Sequence, residues 1–350
     1  MVLDTEIVEI KDDNTVKVWE KYHNSGMEDL IGKYHLCKVL FSLYKLGLIN
    51  RFKESGCLDV SNAKIDGLDS YLLENLFLYL IFYDILKKED NKYYLTDLGK
   101  LLLEDVSIAQ LGFYVEAYGE ITSKISSLIS GEDVYGENIN RDGEALGKHC
   151  ATLFHQFHTS TVLYALQNIK ASYILDLGCG GGQFLIDACL RDQNLRGIGL
   201  DISKSAIEFA CTQSDKNGLS NRLKFVVGNA FSPDTWPKVC YEADVLCATG
   251  VLHEHFRDGE SAVINLLNTF ASIFKRNHYK AFILGEPELY YDNKDNDLDL
   301  FLVHIFTKQG FPRNYKEWLK LFEKTNFQCR KVFRRSNAGP RFSFFDLIPV

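Results

Sequence analysis

Tyr173-Ile174-Leu175-Asp176-Leu177-Gly178-Cys179-Gly180-Gly181-Gly182-Gln183-Phe184-Leu185-Ile186 signals the architecture of this 350-residue chain. An apolar strand runs straight into a glycine turn, and a second strand, Leu195-Arg196-Gly197-Ile198-Gly199-Leu200-Asp201, follows shortly and ends in an acid. Gly178, Gly180 and Gly182 let the backbone turn tightly and approach a ligand where a Cβ would collide. A helix opening at about Gln183 aims its amide groups at the same spot. Asp201 is placed to accept hydrogen bonds from ribose hydroxyls, so the unit reads as a site for an adenosine-containing cofactor.

A nicotinamide dinucleotide competes for this reading, and two features argue against it. Asp176 stands immediately before the glycines, where a carboxylate repels a pyrophosphate but attracts a sulfonium and an amino group. The unit also lies in the second half of the chain. The stretch resembles motif I of the class I S-adenosylmethionine-dependent methyltransferases, and Asp201 resembles their ribose-binding acid. The resemblance implies S-adenosyl-L-methionine as cofactor, bound by Asp176, Gly178, Gly180 and Asp201.

Composition bounds the rest. The length suffices for two domains, and 46% hydrophobic residues can fill their cores. No run of 18 apolar residues occurs, and the acidic N-terminus lacks a basic leader, so neither a membrane span nor a signal peptide is expected. Nine cysteines without a Cys-x-x-Cys pair read as reduced thiols in a cytoplasm. A net charge of −8 makes nonspecific nucleic-acid binding an unfavourable expectation.

Hydrophobic period divides the chain in three. Residues 1–110 alternate apolar helical runs, among them Leu36–Tyr44 and Leu68–Leu86, with polar turns, and Lys87–Thr96 reads as a hairpin turning on Asp90-Asn91. Helices followed by a small β-wing make a winged-helix arrangement. Residues 111–168 read as a helical connector, interrupted by the glycine-rich segment 131–147, that covers the active site. Residues 169–350 alternate strands with helices: Tyr173–Leu177, Arg196–Asp201, Leu223–Gly228, Ala243–Thr249 and Ala281–Glu286. The expected fold class is therefore α/β, a Rossmann-like methyltransferase domain preceded by a mainly helical domain.

A winged helix also suits DNA binding. The helix that would enter a major groove, Asp69–Asp84, carries three carboxylates and no Lys or Arg, so it has nothing with which to track phosphates. Its apolar surface calls for burial instead, and the resemblance implies a homodimer formed through this domain.

Chemistry is expected at the carboxyl ends of the parallel strands. After Ala243–Thr249 comes Gly250-Val251-Leu252-His253-Glu254-His255-Phe256, which resembles the Leu-His-Asp segment of hydroxyindole- and caffeate-type O-methyltransferases. That implies His253 as a general base facing a hydroxylated aromatic substrate. Two further elements lead elsewhere. Phe301–Gly310 embeds His304 in an apolar run ending Phe306-Thr307-Lys308-Gln309, and Asn140–His149 offers Arg141 in the connector. Together they resemble the C-methyltransferases that act on the β-carbon of α-keto acids, of the phenylpyruvate and 2-ketoarginine type.

Carbon methylation needs a carbanion-like nucleophile, and a metal bound to the keto acid stabilises the enolate. The resemblance then implies His253 and His304 as ligands of a transition metal, zinc or iron, and Arg141 as a bidentate carboxylate clamp. O-methylation of a small hydroxylated substrate by His253 alone is the alternative.

Gly228-Asn229-Ala230-Phe231 resembles the loop that meets the adenine, with Asn229 standing where aspartate is usual. Glu286 either orients His253, binds substrate or sits in a solvated loop. His149 is a third ligand or a surface residue. His155 and His158 line the cavity or pack between helices, and the turn after His253 points His255 elsewhere. Glu116 and Glu120 are candidate partners for a guanidino substrate, and Asp292–Asp299 reads as a solvated, mobile loop.

Overall fold

The computed structural model describes residues 6–60, 67–277, 279–290, 298–311, 313–335 and 341–350. The chain forms two compact units, residues 1–111 and 112–350.

The first unit opens with helices Asp13–Asn24, Met27–Lys45 and Leu48–Ser55, then Ser70–Phe82. Asp69 begins the last of these by accepting a hydrogen bond from the Leu72 amide, the expected role of an acid at a helix start. The apolar run Leu68–Leu86 does not stay helical to its end: the helix stops at Phe82, and Asp84 takes the left-handed conformation at φ 54°. Strands β1 (Leu58–Asp59), β2 (Leu86–Glu89) and β3 (Lys92–Leu95) form a sheet in the order β1-β3-β2, with β2 and β3 turning on Asp90-Asn91 as expected.

Leu43, Leu48, Phe52, Phe77, Leu80, Ile85 and Tyr93 pack as its core. A good deal of apolar surface stays outside that core. Helix Asp13–Asn24 buries none of its residues, and Trp19, Leu30, Tyr34, Tyr71, Leu72 and Phe82 are all exposed.

The second unit is built on a seven-stranded sheet: β4 (Tyr173–Leu177), β5 (Arg196–Asp201), β6 (Leu223–Val227), β7 (Val245–Thr249), β8 (Ala281–Pro287), β9 (Phe327–Arg334) and β10 (Phe342–Pro349). Their order is β6-β5-β4-β7-β8-β10-β9, parallel from β6 to β8, with β10 antiparallel to β8 and β9 antiparallel to β10. The five parallel strands match the sequence reading to within two residues at each end. The antiparallel pair was not foreseen. β9 is an edge strand with mostly polar, partly exposed residues, and β10 buries Ser343 and Asp346, the latter paired with Arg330 at 2.7 Å. Neither presents the apolar alternation that marks a half-buried strand.

Both sheet faces are covered. Leu175 and Leu177 belong to a cluster with Phe270, Phe282, Trp318 and Phe345. Ile174 points the other way, into Val162, Leu166, Leu185, Ile283 and Phe344. The period of two sends Asp176 to the same face as Ile174, which leaves this carboxylate 4% exposed beneath helices. The connector is helical through Gly143–Phe157 and Thr159–Asn168, so Gly143 and Gly147 lie inside a helix, and the expected interruption ends at residue 142. Strand order reverses at β4, whose neighbours β5 and β7 lead outward in opposite directions. This topological switch point opens a crevice at their carboxyl ends, beside the glycine turn.

Candidate active site

At the end of β4 the chain enters the glycine turn with Gly178, Gly180 and Gly182 at φ 76°, 51° and 75°. Gly182 has no alternative there, because an added Cβ would stand 2.5 Å from Phe225 in a backbone conformation that L side chains rarely adopt. Around Gly180, nothing lies within 4 Å of where a Cβ would be. Asp201 closes the turn from β5. Its Oδ2 accepts the Gly180 N–H at 2.9 Å and its Oδ1 the Ser203 N–H at 2.8 Å, which fixes the carboxylate while each oxygen keeps a further lone pair. Burial, reinforced by the charge of Asp201, pushes the Asp176 carboxyl up to about 7.

Beyond β6, Asn229 is exposed, Ala230 buried and Phe231 half-buried. The Asn229 side-chain oxygen accepts the Phe231 N–H at 2.9 Å and its carbonyl accepts the Trp236 indole N–H at 2.9 Å. The amide that replaces the usual aspartate therefore holds its own loop in shape. Phe231 meets the ring of His255 edge-on at 4.2 Å, so His255 does turn away from His253, and burial lowers its pKa.

The second cluster sits at the ends of β7 and β8. His253 is 4% exposed, and its Nδ1 lies 2.7 Å from Glu286 Oε2. Glu286 is fully buried and also accepts the Leu252 N–H at 2.8 Å, which removes the solvated-loop alternative for this residue. His304, on helix Leu298–Thr307, comes from 51 residues away to place its Nε2 3.1 Å from His253 Nε2. Gly310 makes that approach possible. It takes φ 81° and comes so close that a Cβ would stand 2.6 Å from the His253 carbonyl oxygen.

The protons of this pair follow from its partners. His304 Nδ1 lies 2.6 Å from the Leu300 carbonyl oxygen, which only accepts, so Nδ1 carries the hydrogen. His253 Nδ1 donates in the same way to the Glu286 carboxylate. With both Nδ1 hydrogens committed, the two Nε2 atoms face each other at 3.1 Å. Burial, with His253 alongside, drives the His304 pKa down to about 3, so its ring stays neutral.

Beside the histidines lies a closed ring of polar side chains. Arg141 Nη1 and Nη2 donate to Glu254 Oε1 and Oε2 at 3.2 and 3.5 Å, and Nη1 also donates to the Tyr118 hydroxyl at 3.2 Å. Tyr118 donates onward to Gln309 Oε1 at 3.2 Å, and Gln309 Nε2 returns to Glu254 Oε1 at 3.0 Å. Glu254 is not singled out by the sequence, although an acid directly after a histidine at a strand end is an available signal; Gln309 is quoted there only within the element around His304, and Tyr118 reads only as an aromatic suited to an apolar substrate side chain.

Other expectations need correction. His149 is 2% exposed and sits 2.8 Å from Glu116, so it is not a surface residue and Glu116 has a partner within the chain, and among the described residues His149 forms no three-residue metal group with His253 and His304. His155 pairs with Asp187 at 2.6 Å, and His158 stacks on Phe342 at 4.4 Å. Both are packing contacts of the connector. Residues 292–297 of the expected loop lie outside the described residues, and Leu298 already begins a helix. Among the described residues, no group of three or more His, Cys, Asp or Glu is arranged to hold a metal ion, and no helix is long and apolar enough to cross a membrane.

Residues 169–288 match the family described as Methyltransferase domain. Methyltransferase ungE' of Aspergillus campestris is 25% identical over 192 residues, which are 53% of this chain and 55% of that protein. The chain thus spans about half the length of this curated relative. Among solved structures, human N-acetylserotonin methyltransferase in complex with SAM is similar with a TM-score of 0.68 at 15% identity, over 98% of this chain and 100% of that one. The mitomycin 7-O-methyltransferase MmcR gives a TM-score of 0.67 at 15% identity, over 95% and 100%. At such identities these structures speak for the fold: a class I methyltransferase sheet preceded by a mainly helical region. Residues 169–288 thus match a methyltransferase domain, carried on a sheet of the class I methyltransferase fold.

Proposed function

We propose that the protein methylates a small molecule held against the His253–His304 pair, and that its reaction is metal-assisted C-methylation at the β-carbon of an α-keto acid. The observation that carries the finer reading is the commitment of both Nδ1 hydrogens, one to a carboxylate and one to a backbone carbonyl. Metal-ligating histidines almost always donate their second N–H in one of these two ways. The facing Nε2 atoms at 3.1 Å suit two ligands of one ion, and the neutral ring of His304 is the form that binds metal. Zinc or iron fits this imidazole pair, which would leave positions for substrate because no third protein donor joins it among the described residues. When bound, the ion would supply Lewis acidity toward the keto oxygen.

S-adenosyl-L-methionine supplies the methyl group. In this reading, Asp201 holds the ribose, Asp176 faces the cationic part of the cofactor, and Gly178 and Gly180 admit it to the backbone. Asn229, Ala230 and Phe231 flank the adenine. Asp201→Ala is expected to weaken cofactor binding by about 1–3 kcal/mol, the scale of a hydrogen bond to a charged group. Isothermal titration with S-adenosylmethionine reads this directly, and unchanged affinity removes Asp201 from the role.

A second reading has its own observation. The His253–Glu286 pair at 2.7 Å is an oriented base, sufficient for O-methylation of a hydroxylated aromatic substrate without any ion. Elemental analysis of the purified protein, followed by assay with and without chelator, separates the two. Stoichiometric metal and chelator-sensitive turnover support C-methylation. Metal-free protein that methylates a hydroxyl supports the alternative.

The exposed apolar side chains of residues 13–34 and 71–82 support homodimerisation through the first unit. Light scattering at micromolar concentration should give twice the 40.0 kDa chain mass. A folded monomer would remove that proposal, as would tight duplex-DNA binding at physiological salt.

A further inference from the structure

The ring formed by Arg141, Tyr118, Gln309 and Glu254 is arranged around a carboxylate, and that carboxylate belongs to the protein. Glu254 accepts from both arms of the guanidinium and from the Gln309 amide. Its place in the chain directly after His253, and the position of Gln309 two residues beyond the helix that carries His304, set the ring beside the two imidazoles. The grip is loose. At 3.2 and 3.5 Å the two arms exceed the usual 2.7–2.9 Å of a charge-assisted pair, and both side chains keep some exposure, 22% for Arg141 and 29% for Glu254. A receptor with three converging donors, a slack internal occupant and access to its cation is built for exchange.

We infer that Glu254 is a resident stand-in for a substrate carboxylate, which displaces it from Arg141 and Gln309 on binding and so makes Glu254 a specificity-determining residue. This rests on the methyltransferase reading above and deepens it toward anionic substrates. Two consequences follow from the chemistry. An uncharged substrate gains nothing by displacing Glu254, because the guanidinium would lose its counter-charge inside a mostly enclosed site. An anionic substrate replaces one carboxylate by another and must overcome only the competition and repulsion of Glu254, which the neutral glutamine side chain would not exert.

The test uses the full-length protein with bound S-adenosylhomocysteine, which prevents turnover, and measures affinity for phenylpyruvate and for its uncharged methyl ester. Glu254→Gln is expected to bind phenylpyruvate at least about tenfold more tightly than the unmodified protein, with the ester changed by less than about twofold. Gln309→Leu, which removes a donor but no charge, is expected to weaken phenylpyruvate binding by about three- to tenfold. It serves as the independent reading if Glu254→Gln fails to fold. Unchanged or weaker phenylpyruvate binding by Glu254→Gln overturns the inference, because a Glu254 that merely positions Arg141 would weaken the site when neutralised. An equal gain for acid and ester also overturns it. Loss of S-adenosylhomocysteine binding by the unmodified protein would instead overturn the methyltransferase reading itself.

Discussion

His304→Ala is expected to lower methyl transfer by about 10²–10⁴-fold, to strip any bound metal, and to leave S-adenosylmethionine affinity nearly unchanged. His304 contacts His253 and the Leu300 carbonyl, while the cofactor groups stand on β4 and β5 and are held by their own hydrogen bonds, so they keep their geometry. What the variant loses is one of two facing nitrogens. In the metal-assisted reaction neither imidazole holds the ion alone, so exchange of substrate β-hydrogens for deuterium should disappear together with turnover. Because the side chain is buried, a thermal melt and a cofactor titration on the same sample separate loss of chemistry from loss of fold. Full activity of His304→Ala in metal-free buffer would eliminate C-methylation through this pair and leave the His253–Glu286 base as the working group.

Asp176→Asn should move stability and binding in opposite directions. Burial, with Asp201 nearby, raises the Asp176 pKa from 3.8 to about 7 in the folded chain. An acid raised in this way binds a proton more readily when folded. Its contribution to stability is fully present below pH 3.8 and is lost as pH rises through about 7. At pH 8 the unliganded protein therefore carries an ionised carboxylate at a site that disfavours it. Asn removes that charge at nearly constant shape, and it should raise the stability of the unliganded protein by about 2–4 kcal/mol at this pH.

The same charge attracts the cationic cofactor. Affinity of the unmodified protein for S-adenosylmethionine should rise between pH 6 and pH 8 with release of protons, while Asp176→Asn binds weakly and without that slope. Calorimetry in buffers of differing ionisation enthalpy, paired with urea melts at pH 8, measures both effects. A variant that is less stable yet binds normally would show that Asp176 has a structural role only.

Some of the architecture was legible because its cause is local. Each of the five parallel strands is a compact apolar run, and four glycines within five residues mark a backbone that turns with positive φ, as three of them do. The turn at Asp90-Asn91 and the helix opening at Gln183 belong to the same class of signal. β9 and β10 escaped because a polar edge strand beside a strand with a buried Asp346 satisfies its polar groups through partners distant in sequence, such as the Arg330–Asp346 pair.

The candidate site divides along the same line. Residue type and strand position single out Asp176, Asp201 and His253 from the chain alone, since motif I and a histidine after a parallel strand depend on neighbours close in sequence. The meeting of His253 with His304, the burial of Glu286 against His253, and the ring joining Tyr118, Arg141, Glu254 and Gln309 draw on segments from 33 to 191 residues apart. Local residue order thus suffices to specify a methyltransferase-type sheet with a turn suited to an adenosine cofactor, because few residues permit the backbone conformations involved. Which polar side chains converge, and which are already paired, emerges from long-range packing, because a lone Glu or Arg in sequence looks solvated until packing removes the water and supplies its partner.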